Sequence, residues 1–146
     1  MSFEDVQTGC VIRYPYLWHR EHERGEAGGR KPRPTAVGVR LVRKEGSDAL
    51  ILFPLTTTEP TADREAVEVP LIEKLRAGLD RDARVWLILD EYNYDLVGES
   101  YYLEPVPPLG TFSKAFFGPL MLEVSKSLGT KRRVMRSSAH ERQDIA

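Results

Sequence analysis

The chain has 146 residues, of which 41% are hydrophobic and 29% are charged, and its formal net charge is −1. These values are typical of one globular domain that buries a core without disulfides or a structural metal. No apolar run approaches the roughly 20 residues that span a bilayer, and the acidic N-terminal residues do not resemble a signal peptide, so we expect a cytoplasmic protein with no membrane partner. The single cysteine, Cys10, excludes an internal disulfide and predicts a buried strand residue.

The charges are unevenly distributed along the chain. Residues 13–44 carry nine basic and three acidic side chains, whereas residues 45–128 carry seven basic and fifteen acidic ones. A basic segment on an otherwise acidic chain predicts one anion-binding face. A basic loop that is merely solvated is the alternative.

The first third of the chain predicts three strands. Residues 9–18 are rich in Val, Ile, Tyr and Trp after a Thr-Gly turn signal, which indicates the first strand. Residues 19–34 are polar and contain glycines, and a loop of this length is usually functional or disordered. Residues 35–42 predict a second strand. The apolar run at 49–55 predicts a third strand that is buried on both faces.

The remainder predicts short strands and two short helices. We expect strands at residues 66–69, 84–90 and 100–106, with a loop at 91–95. One helix follows Pro70 and ends at Gly78, and the other runs from Pro119 to Gly129. Residues 130–146 have few apolar side chains and predict a disordered basic tail beyond a single domain at 1–129. The fold class is therefore mostly β with two short helices, in a small, partly open barrel.

Four segments carry a resemblance to a known family. They are GCVI at residues 9–12, GRKPRP at 29–34, LILFPLT at 50–56 and VWLILDE at 85–91. In this order, and followed by a short amphipathic helix, they resemble the PemK/MazF-like toxin superfamily, and its PemK-like growth inhibitors in particular. The resemblance covers residues 9–128 and implies an SH3-like barrel of the CcdB and PemK kind. Cys10 departs from the family, which commonly has Asp there.

The resemblance implies a ribonuclease. Such toxins of toxin–antitoxin systems cut single-stranded RNA with the substrate 2′-hydroxyl as nucleophile and with no metal or other cofactor. It also implies a cognate antitoxin and a homodimer as partners. Arg33 matches the arginine of the family's Arg-Pro signature, and Thr56 matches the Thr or Ser that ends the third strand. A guanidinium can bind two phosphate oxygens, and a hydroxyl adds a neutral donor.

Other residues are candidates for binding the substrate. Arg30 and Lys31 form a basic mouth beside Arg33. His19 is a candidate for proton transfer because histidine as a residue type titrates near neutral pH, and Tyr16 and Trp18 share a strand face on which bases can stack. The remaining candidates are Glu21, Thr57 and Glu91, of which Glu91 is expected to orient Arg33.

Each candidate has a structural alternative. Arg33 is a structural arginine if it pairs with a carboxylate such as Glu91, and Thr56 is a turn residue if its hydroxyl only caps the backbone. Tyr16 and Trp18 are core residues if the barrel buries them. The same fold also supports CcdB-like inhibitors of a protein target and non-catalytic RNA- or protein-binding modules, so fold does not decide function. The presence of both Arg33 and Thr56 favours the ribonuclease over the non-catalytic alternatives.

Overall fold

A curled, mostly antiparallel sheet forms the body of the protein. The structure is a computed structural model and describes residues 3–26 and 31–136. Within these residues the strands are β1 (Cys10–Tyr14), β2 (Arg33–Leu41), β3 (Ala49–Thr56), β4 (Ala66–Glu68), β5 (Trp86–Ile88), β6 (Glu91–Leu96), β7 (Gly110–Thr111) and β8 (Arg132–Met135). The helices are α1 (His19–Glu23), α2 (Leu71–Ala77) and α3 (Lys114–Ser125), with a 3-10 turn at Leu128–Thr130. The predicted mostly β class is confirmed.

The long strand β3 organises the sheet. The strand order is β4-β5-β3-β2-β1-β7, and all of these neighbours are antiparallel. On the edge away from β2, β3 pairs first with β6 and then, at Leu55 and Thr56, with β5. Because two partners share one edge, the sheet curls into a half-barrel. None of the helices in the described ranges is long and apolar enough to cross a membrane.

Alternate residues of β3 supply two hydrophobic clusters, as period-2 alternation requires. Ile51, Phe53 and Leu55 join a cluster that includes Phe112, Phe117 and Val124 from the α3 side. Leu50 and Leu52 join a second cluster on the opposite face, which contains Tyr14, Tyr16, Trp18 and Ile88. The prediction of a strand buried on both faces is confirmed.

A β-bulge interrupts the pairing of β2 with β3 at Gly38. The register shifts between Val37 and Val39, and the ring of Phe53 lies directly over the glycine. A Cβ at Gly38 would lie 2.3 Å from Cε2 of Phe53. Glycine is therefore required at this position by the packing of the core.

The helices differ in part from the prediction. Helix α2 ends at Gly78 in the left-handed conformation (φ 71°), as expected. Helix α3 begins at Lys114 and contains Pro119, so the predicted start at Pro119 is wrong. The Ser113 hydroxyl accepts a hydrogen bond from the Phe116 N–H at 3.2 Å and caps the helix, which was a readable signal. Helix α1 lies in the predicted loop.

Two further predictions are corrected around β6. Residues 91–95 were expected to be a loop, but they belong to a strand whose polar side chains are buried and satisfied. Asn93 exchanges two hydrogen bonds with the backbone of Leu17, and Asp95 accepts one from the Tyr14 hydroxyl at 2.7 Å. Burial raises the pKa of Asp95, although its hydrogen bonds act in the opposite direction. The strand expected at residues 100–106 is not observed.

The predicted disordered tail is wrong for its first part. Strand β8 pairs in parallel with β6, and the Arg136 side chain that follows is buried. Nη1 of Arg136 donates to the Pro15 carbonyl at 2.7 Å, and the guanidinium lies 3.9 Å from the Tyr102 ring centroid. The domain thus extends through residue 136, because β8 belongs to the sheet and the Arg136 side chain is buried in the protein. The rest of the predicted tail, residues 137–146, lies outside the described residues.

Candidate functional site

A cleft of ≈ 180 Å³ opens where β2 begins and β3 ends. Three residues predicted from the sequence, Trp18, Arg33 and Thr56, line this cleft together. The lining also includes Arg20, Thr58, Glu59, Pro60, Arg64 and Ile88. We call it the arginine cleft, because three of its lining residues are arginines.

The strand register brings Arg33 and Thr56 to the same place. The β2–β3 ladder ends with the pair of Thr35 and Pro54. Two residues further along each strand lie Arg33 and Thr56, which therefore project to the same face. The opposite edge of β2 pairs Arg33 with Tyr14, so its backbone is fixed by β1.

Arg33 lacks the side-chain partners that a structural arginine would have in the described part of the chain. Its side chain is exposed, and among the described residues it makes no hydrogen bond or ion pair. The expected alternative, an ion pair with Glu91, is not observed. A guanidinium keeps its charge at all relevant pH values, so the cleft presents a fixed cation with unused donors.

Thr56 combines a turn role with an unused donor. Its Oγ1 accepts a hydrogen bond from the Thr58 N–H at 3.1 Å, which orients the oxygen. Within the described ranges the hydroxyl donates to no other group. The turn alternative and the proposed donor role are thus compatible in one residue.

Arg64, which the sequence did not suggest, is held rigidly in the cleft wall. Its Nε lies 2.7 Å from Oδ2 of Asp90, and its Nη2 lies 2.6 Å from Oδ1 of the same carboxylate. Nη2 also contacts Glu91 at 3.3 Å. Hydrogen bonding to Asp90 raises the pKa of Arg64. Burial acts to raise the pKa of Asp90, but the hydrogen bonds from Arg64 and the Glu65 N–H outweigh it and lower that pKa.

Of the two residues predicted to stack on bases, Tyr16 lies in the core and Trp18 lines the cleft. Tyr16 is 1% exposed and its hydroxyl donates to Oε1 of Glu91 at 3.0 Å, so the stacking prediction is wrong and the core alternative is confirmed. Trp18 lines the cleft but is only 7% exposed. The Arg20 guanidinium lies 4.8 Å from the Trp18 ring centroid. Trp18 therefore supports Arg20 in the wall of the cleft.

Three polar candidates act within the fold. Glu91 is buried, and its Oε1 also accepts from the His19 N–H at 3.2 Å. Glu21 is buried and accepts from the Trp18 N–H at 3.1 Å, which fixes the start of α1. The His19 imidazole lies 3.5 Å from Glu23 and is not among the lining residues. The carboxylates of Glu21 and Glu91 thus serve local structure, and the predicted substrate contacts of these three residues stay predictions.

The remaining candidates that the structure describes are not among the residues that line the arginine cleft. Lys31 is exposed, and Arg30 lies outside the described residues. Thr57 lines a smaller neighbouring depression of ≈ 90 Å³ that it shares with Thr56. Burial raises the pKa of Cys10 to about 11, which suits the predicted buried strand residue. Over residues 3–26 and 31–136, no three His, Cys, Asp or Glu side chains come together as a metal-ion site.

Sequence reasoning missed Arg20, Glu59 and Arg64. Arg20 belongs to the basic segment, so charge segregation was a usable signal for it. Arg64 and Glu59 lie in a polar loop without periodicity, and the Asp90 partner of Arg64 follows 26 residues later.

Comparison of the chain with models of known families, with curated proteins and with solved structures gives no match in any of the three.

Proposed function

We propose that this protein is a toxin-like endoribonuclease that cuts single-stranded RNA in the arginine cleft. The observation that carries the proposal is Arg33, an exposed guanidinium without a partner in the described part of the chain, beside the donor Thr56. The curled half-barrel is compatible with the SH3-like barrel of PemK- and MazF-like toxins, to which we assign it as part of the same proposal.

The reaction is an in-line transesterification. The RNA 2′-oxygen forms a bond to the adjacent phosphorus, and the bond from phosphorus to the 5′-oxygen of the next nucleotide breaks. Negative charge develops on the non-bridging oxygens, where Arg33 and the Thr56 hydroxyl donate hydrogen bonds. The products are a 2′,3′-cyclic phosphate and a 5′-hydroxyl.

Glu59 is the group proposed to accept the 2′-hydroxyl proton. It is the one carboxylate among the described lining residues, and its Oε1 lies 3.3 Å from Nη1 of Arg84. The leaving 5′-oxygen takes a proton from water. A general base contributes about 10²–10⁴-fold to such a step, so loss of Glu59 slows cleavage without abolishing substrate binding.

The proposed partners follow from the resemblance and from the surface. Helix α2 exposes Leu71, Ile72 and Leu75, each about half accessible, and helix α3 exposes Leu122. Exposed apolar side chains of this kind mark contact surfaces when they are contiguous. We propose that the protein forms a homodimer partly through α3, that a cognate antitoxin covers the arginine cleft, and that the activity is exercised in the cytoplasm.

The direct test is an incubation of the purified protein with a labelled single-stranded RNA of mixed sequence in EDTA. We expect fragments that end in a 2′,3′-cyclic phosphate or its hydrolysis product. The control is DNA of the same sequence, which lacks the nucleophile and should stay intact. Intact RNA, cleavage only when Mg²⁺ is added, or equal cleavage of DNA would each contradict the proposal.

A further inference from the structure

Arg64 is a second preorganised cation in the arginine cleft. Its side chain is 20% exposed, and Asp90 binds it through both Nε and Nη2. Glu91 contacts Nη2 as well, and Glu91 is itself fixed by the Tyr16 hydroxyl and the His19 N–H. A long, flexible side chain is thus held in one orientation by two carboxylates before any ligand arrives.

One edge of this guanidinium remains unused. Nη1 of Arg64 donates to no group in residues 3–26 and 31–136, although the side chain lines the cleft. Arginine has five N–H donors in a planar fork, so binding a carboxylate through one edge leaves another edge for a ligand. An arginine held in this way loses little rotamer entropy when it binds an anion.

We propose that Arg64 binds a phosphate of the strand next to the one that reacts, with Asp90 and Glu91 as positioning residues. This rests on the proposed function for the identity of the strand. Arg33 accounts for the reacting phosphate, and a single strand presents further phosphates on both sides of it. Arg64 therefore contributes to the affinity for the strand, whereas Arg33 contributes to the rate of the reaction.

The probe is a short, labelled single-stranded DNA, which has the phosphates but cannot be cleaved by this mechanism. Its dissociation constant is measured by fluorescence anisotropy over a range of salt concentrations. We expect Arg64→Ala to weaken binding about tenfold, the scale of a lost charged hydrogen bond. The slope of log K against log salt should become shallower by about 0.7, the value for one phosphate of a single strand.

The matched control is Arg43→Ala. Arg43 also pairs with a carboxylate, Glu99, but it lies at the turn between β2 and β3, at the opposite end of these strands from the cleft. Its removal deletes the same charge and should leave the dissociation constant and its salt slope unchanged. A folded Arg64→Ala protein that binds the DNA as Arg43→Ala does would overturn the inference, and so would a wild-type protein that binds no DNA.

If Arg64→Ala does not fold, Arg64→Lys replaces it. Lysine keeps the charge, but it lacks the planar fork that binds Asp90 through one edge and leaves another edge for the cleft. Binding should again weaken, and unchanged binding by folded Arg64→Lys would count against the inference. The outcomes separate the two proposals: Arg64-dependent DNA binding without RNA cleavage contradicts only the nuclease, and RNA cleavage with Arg64-independent binding contradicts only the phosphate contact.

Discussion

Oε2 of Glu91 lies 3.3 Å from Nη2 of Arg64, so Glu91 orients Arg64 and not Arg33. The sequence led us to expect that Glu91 orients Arg33. The difference changes the chemistry of the cleft, because the side-chain donors of Arg33 are unused within the described residues, while Arg64 is fixed by two carboxylates. We infer that the two arginines have separate tasks.

We expect Thr56→Val to slow RNA cleavage by less than the loss of Arg33 does, because a neutral donor contributes less than a charged one. Valine keeps the shape of threonine but removes the hydroxyl. The readout is the initial rate of RNA cleavage, with Thr57→Val as the matched control, since Thr57 lies outside the arginine cleft. Equal rates for the two variants would rule out a role for the Thr56 hydroxyl.

Asp90 should make stability depend on pH under acidic conditions. Its folded-state pKa is lowered below 3.8, so its ion pair with Arg64 stabilises the fold above that value. This contribution is lost as the pH falls through the folded pKa, because the unfolded chain binds the proton first. Asp90→Asn should therefore lower the free energy of unfolding at about pH 6, and the decrease should be smaller at about pH 3.

Urea unfolding at both pH values measures this difference. The control is Asp82→Asn, which removes an exposed carboxylate that makes no ion pair within the described residues. The control should change the free energy of unfolding by the same small amount at both pH values. A cost of Asp90→Asn that does not shrink in acid would show that the ion pair is not what stabilises this region.

Arg136→Ala should destabilise the protein by roughly 1.5–3 kcal/mol, the range for hydrogen bonds of charged groups. The substitution removes a buried guanidinium that bonds to the Pro15 carbonyl and packs on Tyr102. Arg133→Ala, on the exposed side of β8, is the control and should stay within about 0.5 kcal/mol of wild type. Denaturant unfolding measures both, and equal stabilities would contradict the role of Arg136 in the core.

Two glycine substitutions test the packing around β3. Gly38→Ala places a methyl group against the Phe53 ring and should cost about 1–3 kcal/mol of unfolding free energy. Gly118→Ala lies inside helix α3, where a new Cβ has no atom within 4 Å apart from its chain neighbours and the helix's own backbone. It should stay within about 0.5–1 kcal/mol of wild type, because the gain in helix propensity is opposed by the contact of the new Cβ with Pro119. Thermal or urea unfolding of both variants decides this. A Gly38→Ala protein as stable as Gly118→Ala would contradict the close approach of Phe53.

The fold was predictable where local pattern and burial agree. The apolar run of β3 and the glycine that ends α2 have clear physical signatures, and both were predicted correctly. Strands β6 and β8 were missed together, because β8 pairs with β6 and has little apolar content of its own. The polar residues of β6 indicated a loop, although tertiary hydrogen bonds satisfy Asn93 and Asp95 inside the protein.

The site was predictable in part. Arg33 and Thr56 were predicted from the family resemblance, and the strand register places both on the same face of the sheet. Arg64 was not predictable, since its role depends on two carboxylates that follow 26 and 27 residues later. Asp90 ends the predicted strand at 84–90, and Glu91 begins a strand that was predicted as a loop. The burial of Tyr16 was equally hidden, because a tyrosine at a strand end is typical of a core and of a binding surface alike.

The most direct test of the account is the rate of RNA cleavage by Arg33→Ala, compared with wild type and with the Arg43→Ala control. We expect the turnover rate to fall by about 10²–10³-fold, the scale for one preorganised donor, with little change in KM. Because the Arg33 side chain is exposed and makes no hydrogen bond or ion pair within the described residues, its loss should leave the unfolding midpoint unchanged. A folded Arg33→Ala protein that cuts RNA at the wild-type rate would contradict the central claim.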